Sequence, residues 1–229
     1  MTVHNTVLTN FIAAREYTNE YQDNSNHSGS HNGLPLFLQQ AAAAMALLIL
    51  SPFLIALAIM IRLESKGSPV FAQIRVGQNG RRFKFYKFRS MYTQDDPRWV
   101  DVSKMESDRD GVCKKFKQDP RITPIGRIIR KLSIDELPQL FNVLNGDMVL
   151  IGPRPALCSE TDAYDQAAMR RLDVRPGITG LWQVSGRADT TFEEQIELDN
   201  SYIKNQSWWF DVKILLETVP AVLTSRGAY

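Results

Sequence analysis

Polar and apolar positions divide the chain into unequal stretches. Residues 18–33, TNEYQDNSNHSGSHNG, carry no aliphatic side chain. Such a segment cannot bury enough apolar surface to offset the entropy of ordering it, so residues 1–33 are read as a disordered polar tail. The pattern then inverts. Over residues 34–61 no side chain is charged, and over 41–61 Ser51 is the only polar one. As a helix, those 21 residues would run roughly 31 Å, the depth of a bilayer's hydrocarbon core. Midway stands Ser51-Pro52. The proline ring lacks a donor and crowds the carbonyl four residues back, and the Ser51 hydroxyl can bond the carbonyl so freed, which predicts a kink at mid-depth. Residues 34–62 are therefore read as the membrane segment and residues 63–229 as a separate globular unit.

That remainder mixes two periodicities. RRFKFYKFRSM, residues 81–91, interleaves cations with Phe83, Phe85, Tyr86 and Phe88, which predicts an edge strand with most of its Lys and Arg side chains solvated. Single-strand nucleic-acid binders share this composition. Its place just behind the membrane segment, and a net charge of only +2, favour anionic headgroups or a phosphorylated substrate, so no nucleic-acid partner is expected. Further on, Ser133 and Glu136 have capping-box spacing, and Leu137, Leu140, Phe141 and Leu144 repeat with helical period. Asp135 and Glu136 are thus placed in the first turn of a helix that starts at Ser133 or, to accommodate Pro138, at Asp135. A turn at Asn145-Gly146, a strand over 148–151 and a rigid Gly152-Pro153-Arg154-Pro155 loop come next. The second loop, RPGITG at 175–180, has glycines that either admit an oxyanion or sugar to the backbone or make an ordinary turn. Residues 207–223 join Trp208, Trp209 and Phe210 to a stripe of Val212, Leu215, Leu216 and Val219. This is a helix for the membrane interface or for the domain core, with Asp211 and Pro220 as boundary residues.

Composition narrows the chemistry. All three histidines lie within the first 31 residues, and Cys113 and Cys158 have no CxxC spacing. Neither a histidine triad nor a zinc cage can be assembled later in the chain. Carboxylates, hydroxyls, Lys, Arg and hard cations remain. Residues 62–89 hold eight Lys or Arg against Glu64 alone, which places this flank in the cytoplasm. The preceding flank has Arg15 alone among Lys and Arg, so a spanning helix and a hairpin returning to the same face are both allowed. The apolar run starts too late, and without a basic leader, to be a secretory signal. Adjacent carboxylates in a first turn point about 100° apart, and the helix dipole keeps them ionised. An ionised aspartate can serve as a nucleophile or a magnesium ligand without a histidine base. With Arg130 upstream and Arg154 downstream, the set suits reaction at a phosphorylated substrate beside the bilayer, because cations offset the repulsion between a carboxylate and anionic phosphorus.

With those residues in place, the chain resembles the bacterial sugar transferase family, the monotopic polyprenyl-phosphate phosphoglycosyl transferases. The likeness runs through Ser51-Pro52, SPVFAQIRVGQNGRRFKFYKFRSM, DPRITPIGRIIRKLSIDELPQLFNVLNGDMVLIGPRP, RPGITGLWQVSGR and the closing GAY. It implies an α+β, helix-rich monotopic membrane protein with a re-entrant helix-break-helix at Ser51-Pro52, interfacial amphipathic helices and a small β element. The site would lie on the cytoplasmic face of the inner membrane. It also implies a ping-pong reaction in which Asp135 attacks the β-phosphate of a UDP-sugar, UMP leaves, and undecaprenyl phosphate takes the phosphosugar. Glu136 would be the partner carboxylate. Arg130, Arg154 and Lys87 would neutralise the diphosphate, Arg175, Gln183 and Arg187 would bind the nucleotide sugar, and Asp135 or Glu136 would hold Mg²⁺. Asp199 and Asp211 also lie in similar segments, as functional carboxylates or as capping and surface residues. Larger members of the family carry several spanning helices and a further domain ahead of this unit, and the core is expected to suffice without them. Two other readings of the same groups are a non-catalytic membrane adaptor, with the carboxylates as caps, and a membrane phosphodiesterase that uses water as acceptor. The sugar and the oligomeric state, a homo-oligomer included, stay open.

Overall fold

The computed structural model of the protein describes residues 33–102, 105, 116, 118–186 and 190–224. Apart from Gly33, the expected tail lies outside the described residues. Helix α1 (Leu36–Glu64) starts where the chain turns apolar, and it continues through Pro52 as one helix of 29 residues. Ser51 Oγ donates to Leu48 O at 2.8 Å. This is the carbonyl four residues before Pro52, so the serine makes the compensating bond predicted for it. Gln39, Ala43, Leu47, Leu54, Leu57 and Ile61 form one buried stripe along α1. Phe37, Met45, Leu48, Ile49, Ile55, Ile59 and Leu63 are exposed. Only 17% of its most apolar 18-residue window is buried, whereas a helix at the core of a soluble domain would be mostly covered. The chain is thus a mixed helix-and-sheet protein with, among the described residues, one apolar helix long enough to cross a membrane.

Two strands, β1 (Val70–Val76) and β2 (Arg82–Phe88), come next as an antiparallel hairpin paired from Val70↔Phe88 to Val76↔Arg82. The hairpin turns through Asn79 and Gly80, both at positive φ. As expected, β2 is an edge strand. Its outer side meets a side chain, with Tyr86 N donating to Asn142 Oδ1 at 3.2 Å and Asn142 Nδ2 donating to Lys84 O at 2.6 Å. Phe83, Phe85 and Phe88 join Leu54, Leu57, Ile61, Ile129, Leu140, Val143 and Met148 in the main core beneath α1.

Helix α2 (Pro124–Lys131) begins with Pro124 behind a Thr123 cap, whose side chain accepts from Gly126 N. A 3₁₀ segment (Ile134–Gln139) runs into α3 (Leu140–Leu144). Strand β3 (Val149–Ile151) pairs parallel with β5 (Gly177–Thr179), while β4 (Ala156–Leu157) adds antiparallel to β1. Between β4 and β5 lie α4 (Cys158–Thr161) and α5 (Gln166–Met169); α6 (Leu181–Ser185), α7 (Phe192–Asn205) and α8 (Trp208–Leu223) close the order.

The C-terminal helix combines both readings of its stripe. Ile214 is fully buried and Leu215 packs beside it, while Trp209, Leu216, Val219 and Leu223 are exposed. Two boundary assignments need correction. Helix α8 runs past Pro220 to Leu223. Asp211 is completely buried, accepting from Leu34 N at 2.7 Å and from the Tyr202 hydroxyl at 2.8 Å. It ties the entrance of α1 to α8.

Candidate active site

Ser133 is not a cap. Its backbone is left-handed, with φ of 54°, and its side chain caps no amide. The capping box therefore does not form. Pro138 accounts for the winding of the Ile134–Gln139 segment: its missing N–H and its ring disfavour a regular α-helix at this point, and the chain makes a 3₁₀ turn before α3. The tight turn at Ser133 and the 3₁₀ winding present Asp135 and Glu136 to β2 rather than to helical amides.

Lys87 meets them from β2. Its ammonium is 2.6 Å from Glu136 Oε1 and 3.7 Å from Asp135 Oδ2. The lysine thus donates to the glutamate and stands just beyond hydrogen-bond reach of the aspartate. Arg154 Nη1 approaches the same Glu136 oxygen to 3.9 Å. Asp135 is buried, with 7% of its surface exposed, whereas Glu136 is half-buried. Burial drives the Asp135 carboxyl above the ordinary range, opposed first by Lys87, reinforced by Glu136 and opposed again by Arg130 and Arg154. Lys87, Arg130, Asp135, Glu136 and Arg154 are therefore brought together as expected.

The loops bearing Arg154 and Arg175 are fastened to each other. Gly152 N donates to Thr179 O at 2.9 Å and Gly177 N to Pro153 O at 2.8 Å. A Cβ on Gly177 would lie 2.1 Å from Gly152 N, and one on Gly180 would lie 2.3 Å from Gly152 O. These glycines let two stretches of main chain pack on each other, and RPGITG is partly strand β5 rather than an open anion-binding turn. Arg175 is half-buried just before that strand, and Gln183 is half-buried in α6. Helix α6 packs on α7 and α8, whereas the segment bearing the carboxylates packs on β2, α2 and α3. Gln183 thus belongs to a neighbouring part of the domain, whereas Arg175 lies on the loop fastened to that of Arg154. Arg187 lies outside the described residues.

No group of three or more His, Cys, Asp or Glu side chains gathers among the described residues. A closed protein cage has no donors there. Two adjacent carboxylates do fit Mg²⁺, which characteristically takes one or two carboxylates and completes its shell with water and substrate phosphate.

Several buried charges carry no warning in the sequence. Arg89 closes the C-terminal end of α1, donating to Ile61 O at 3.1 Å, to Ser65 O at 2.7 Å and also to Lys66 O. Arg171 pairs with Asp199 at 2.8 Å inside the domain. Burial pushes the Asp199 carboxyl up to about 6 although Arg171 pulls it down. Asp199 is consequently neither a cap nor a surface residue. The only local signal for Arg89 is its place at the end of an alternating strand, where a neighbouring helix terminus can be reached.

Residues 34–225 match the bacterial sugar transferase family. Over 191 residues the chain is 40% identical to the exopolysaccharide production protein ExoY of Rhizobium meliloti, covering 82% of this chain and 84% of that one. It is 45% identical over 201 residues to the galactosyl transferase CpsE of Streptococcus agalactiae, covering 87% of this chain and 44% of that one. Identity to the undecaprenyl-phosphate galactose phosphotransferase of Salmonella typhimurium is 43% over 195 residues, 81% of this chain and 39% of that one. The chain spans most of ExoY and less than half of the other two. Its motifs, its carboxylate pair and these matches agree, and the chain belongs to the bacterial sugar transferase family.

Proposed function

We propose that the protein transfers a sugar 1-phosphate from a UDP-sugar to undecaprenyl phosphate, as the first membrane step of exopolysaccharide, capsule, O-antigen or glycoprotein glycan assembly. The observation that carries this reading is the unequal engagement of the carboxylates. Lys87 is bonded to Glu136 at 2.6 Å but stands 3.7 Å from Asp135, so Asp135 keeps cationic neighbours without having its oxygen tied down by that lysine. Asp135 attacks the β-phosphorus of the donor, an O–P bond forms, and the bond to the α-phosphate oxygen breaks to release UMP. An oxygen of undecaprenyl phosphate then attacks the same phosphorus and restores the aspartate. Lys87, Arg130 and Arg154 offset the charge of the diphosphate, and Glu136 orients Lys87. Mg²⁺, held by Asp135 or Glu136, supplies further charge neutralisation when bound. Arg175, Gln183 and Arg187 are proposed to hold the nucleotide sugar.

The bonds at both ends of α1 support a monotopic, re-entrant placement on the cytoplasmic face. Near its start, Gln39 Oε1 accepts from Leu150 N at 2.7 Å and Gln40 Nε2 donates to Leu144 O at 3.0 Å; at its end Arg89 and Glu64 bind the same domain. The capping reading of the carboxylates, on which a non-catalytic adaptor depends, has lost its cap at Ser133.

The test uses donor labelled in its β-phosphate. Label is expected on the peptide containing Asp135, and Asp135→Asn should lower UMP release by about 10³-fold or more. Turnover within tenfold of the unmutated protein, or product formed with no labelled peptide, rejects the covalent route. Free sugar phosphate released without any lipid acceptor identifies a phosphodiesterase, and a donor that produces no thermal shift points to the adaptor.

A further inference from the structure

Arg154 faces the carboxylates, and the main chain that carries it is gripped from behind. The Tyr202 hydroxyl, which donates to Asp211 Oδ1 at 2.8 Å, also lies 3.1 Å from Ile151 O, and Gly177 N donates to Pro153 O at 2.8 Å. Two buried guanidinium groups take the next two carbonyls. Arg171 Nη2 reaches Arg154 O at 3.5 Å, and Arg75 Nη1 donates to Pro155 O at 3.2 Å. Arg171 is 6% exposed and Arg75 is 7% exposed. The remaining bonds of Arg171 are internal, with Nε on Asp199 Oδ2 at 2.8 Å and Nη1 on the Tyr164 hydroxyl at 2.7 Å. Arg75 lies over the Phe85 ring at 5.2 Å, and Lys87 lies 5.6 Å from the same ring.

Stability alone does not account for arginine at position 171, since replacing a buried ion pair by apolar groups of the same volume is often neutral or stabilising. A guanidinium supplies donors in a rigid planar fork, which an apolar side chain lacks and an ammonium does not reproduce. Here the donors meet the carbonyls of Arg154 and of the residue after it, while Pro153 and Pro155 restrict the backbone on both sides. The direction in which the Arg154 side chain leaves the loop is thereby set. A displacement of about 1 Å in such a group can cost on the order of 100-fold in rate.

We propose that Arg171 and Arg75 are positioning residues, which hold the main chain at Arg154 so that its guanidinium meets the donor diphosphate, with Asp199 fixing Arg171. Neither arginine touches substrate. This rests on the phosphoglycosyl transferase reading of the site.

A double-mutant cycle on the full chain in detergent tests it, with UMP release and calorimetric UDP binding as readouts. Arg171→Lys keeps a charge beside Asp199 but loses the fork, and kcat/KM for donor should fall about tenfold with a Tm within a few degrees. In an Arg154→Lys background the same change should cost less than about twofold, in rate and in UDP affinity. Equal losses in both backgrounds overturn the proposal, because Arg171 would then act independently of Arg154. Should Arg171→Lys fail to fold, Arg75→Lys is put through the identical cycle and judged by the same two outcomes. An unmutated protein that releases no UMP from any UDP-sugar defeats the reading of the site and this proposal together, whereas additivity defeats the proposal alone.

Discussion

Asp135 owes its character to opposed influences: burial and Glu136 raise its carboxyl, and Lys87, Arg130 and Arg154 lower it. The raising side prevails, so the acid limb of donor kcat/KM, which reports ionisation in the free enzyme, should lie above the ordinary carboxylate range. Activity is lost as pH falls through that limb. Lys87→Met removes the largest lowering influence, so its limb should move to higher pH while kcat/KM drops about 10²-fold. Glu136→Gln removes the like charge, and its limb should move to lower pH. Rate profiles that leave the limb fixed in both variants would detach it from Asp135. Much of this cluster was readable in the chain, because adjacent acids, a proline-flanked arginine and an alternating basic strand are local patterns. The partnerships of Arg171 with Asp199 and of Asp211 with Leu34 were not. They join positions 28 and 177 residues apart, and a charged residue looks the same in sequence whether it faces water or a distant partner.

Elements followed their signals where packing agreed with local preference. The uncharged run gave α1 and the Met148 region gave β3. Local preference failed around Ser133, where the left-handed backbone undoes an apparent capping box, and at RPGITG, where the glycines serve a backbone junction. That junction has a measurable consequence. Gly177→Ala places a methyl 2.1 Å from Gly152 N, against main chain that has no rotamer to yield. Overpacking of this kind costs about 3 kcal/mol, which in a chain of this size lowers Tm by roughly 6–12 °C. Because β3 and β5 aim the Arg154 loop, UMP release measured well below the Tm should also fall. Gly146→Ala is a useful contrast. A Cβ there meets only Gln40 Nε2 at 3.8 Å, but φ is +76°, so melting should show a smaller backbone penalty of about 1 kcal/mol and intact catalysis.

At the scale of the molecule, the proposed reaction requires one domain to meet both a nucleotide and a lipid. Helix α1 would be about 43 Å long if straight, and sequence physics permits it either to span or to return. The proposed return to the same face rests on three features of the helix. Its buried stripe runs from Gln39 to Ile61, both ends bond the catalytic domain, and its outward face is almost wholly apolar. Asp211 links its entrance to α8, whose exposed Trp209, Leu216, Val219 and Leu223 extend the apolar surface. A spanning helix would separate Pro35 and Lys66 across the bilayer; a re-entrant one keeps both on the same face. With Cys113 and Cys158 replaced by serine, Pro35→Cys and Lys66→Cys should each react with an impermeant maleimide in inverted inner-membrane vesicles. Neither should react in intact spheroplasts. Labelling of Pro35→Cys from the outside would remove the re-entrant topology but leave the carboxylate chemistry standing, since β2, the 3₁₀ segment and the Arg154 loop all come after α1 and so share one side of the membrane in either topology.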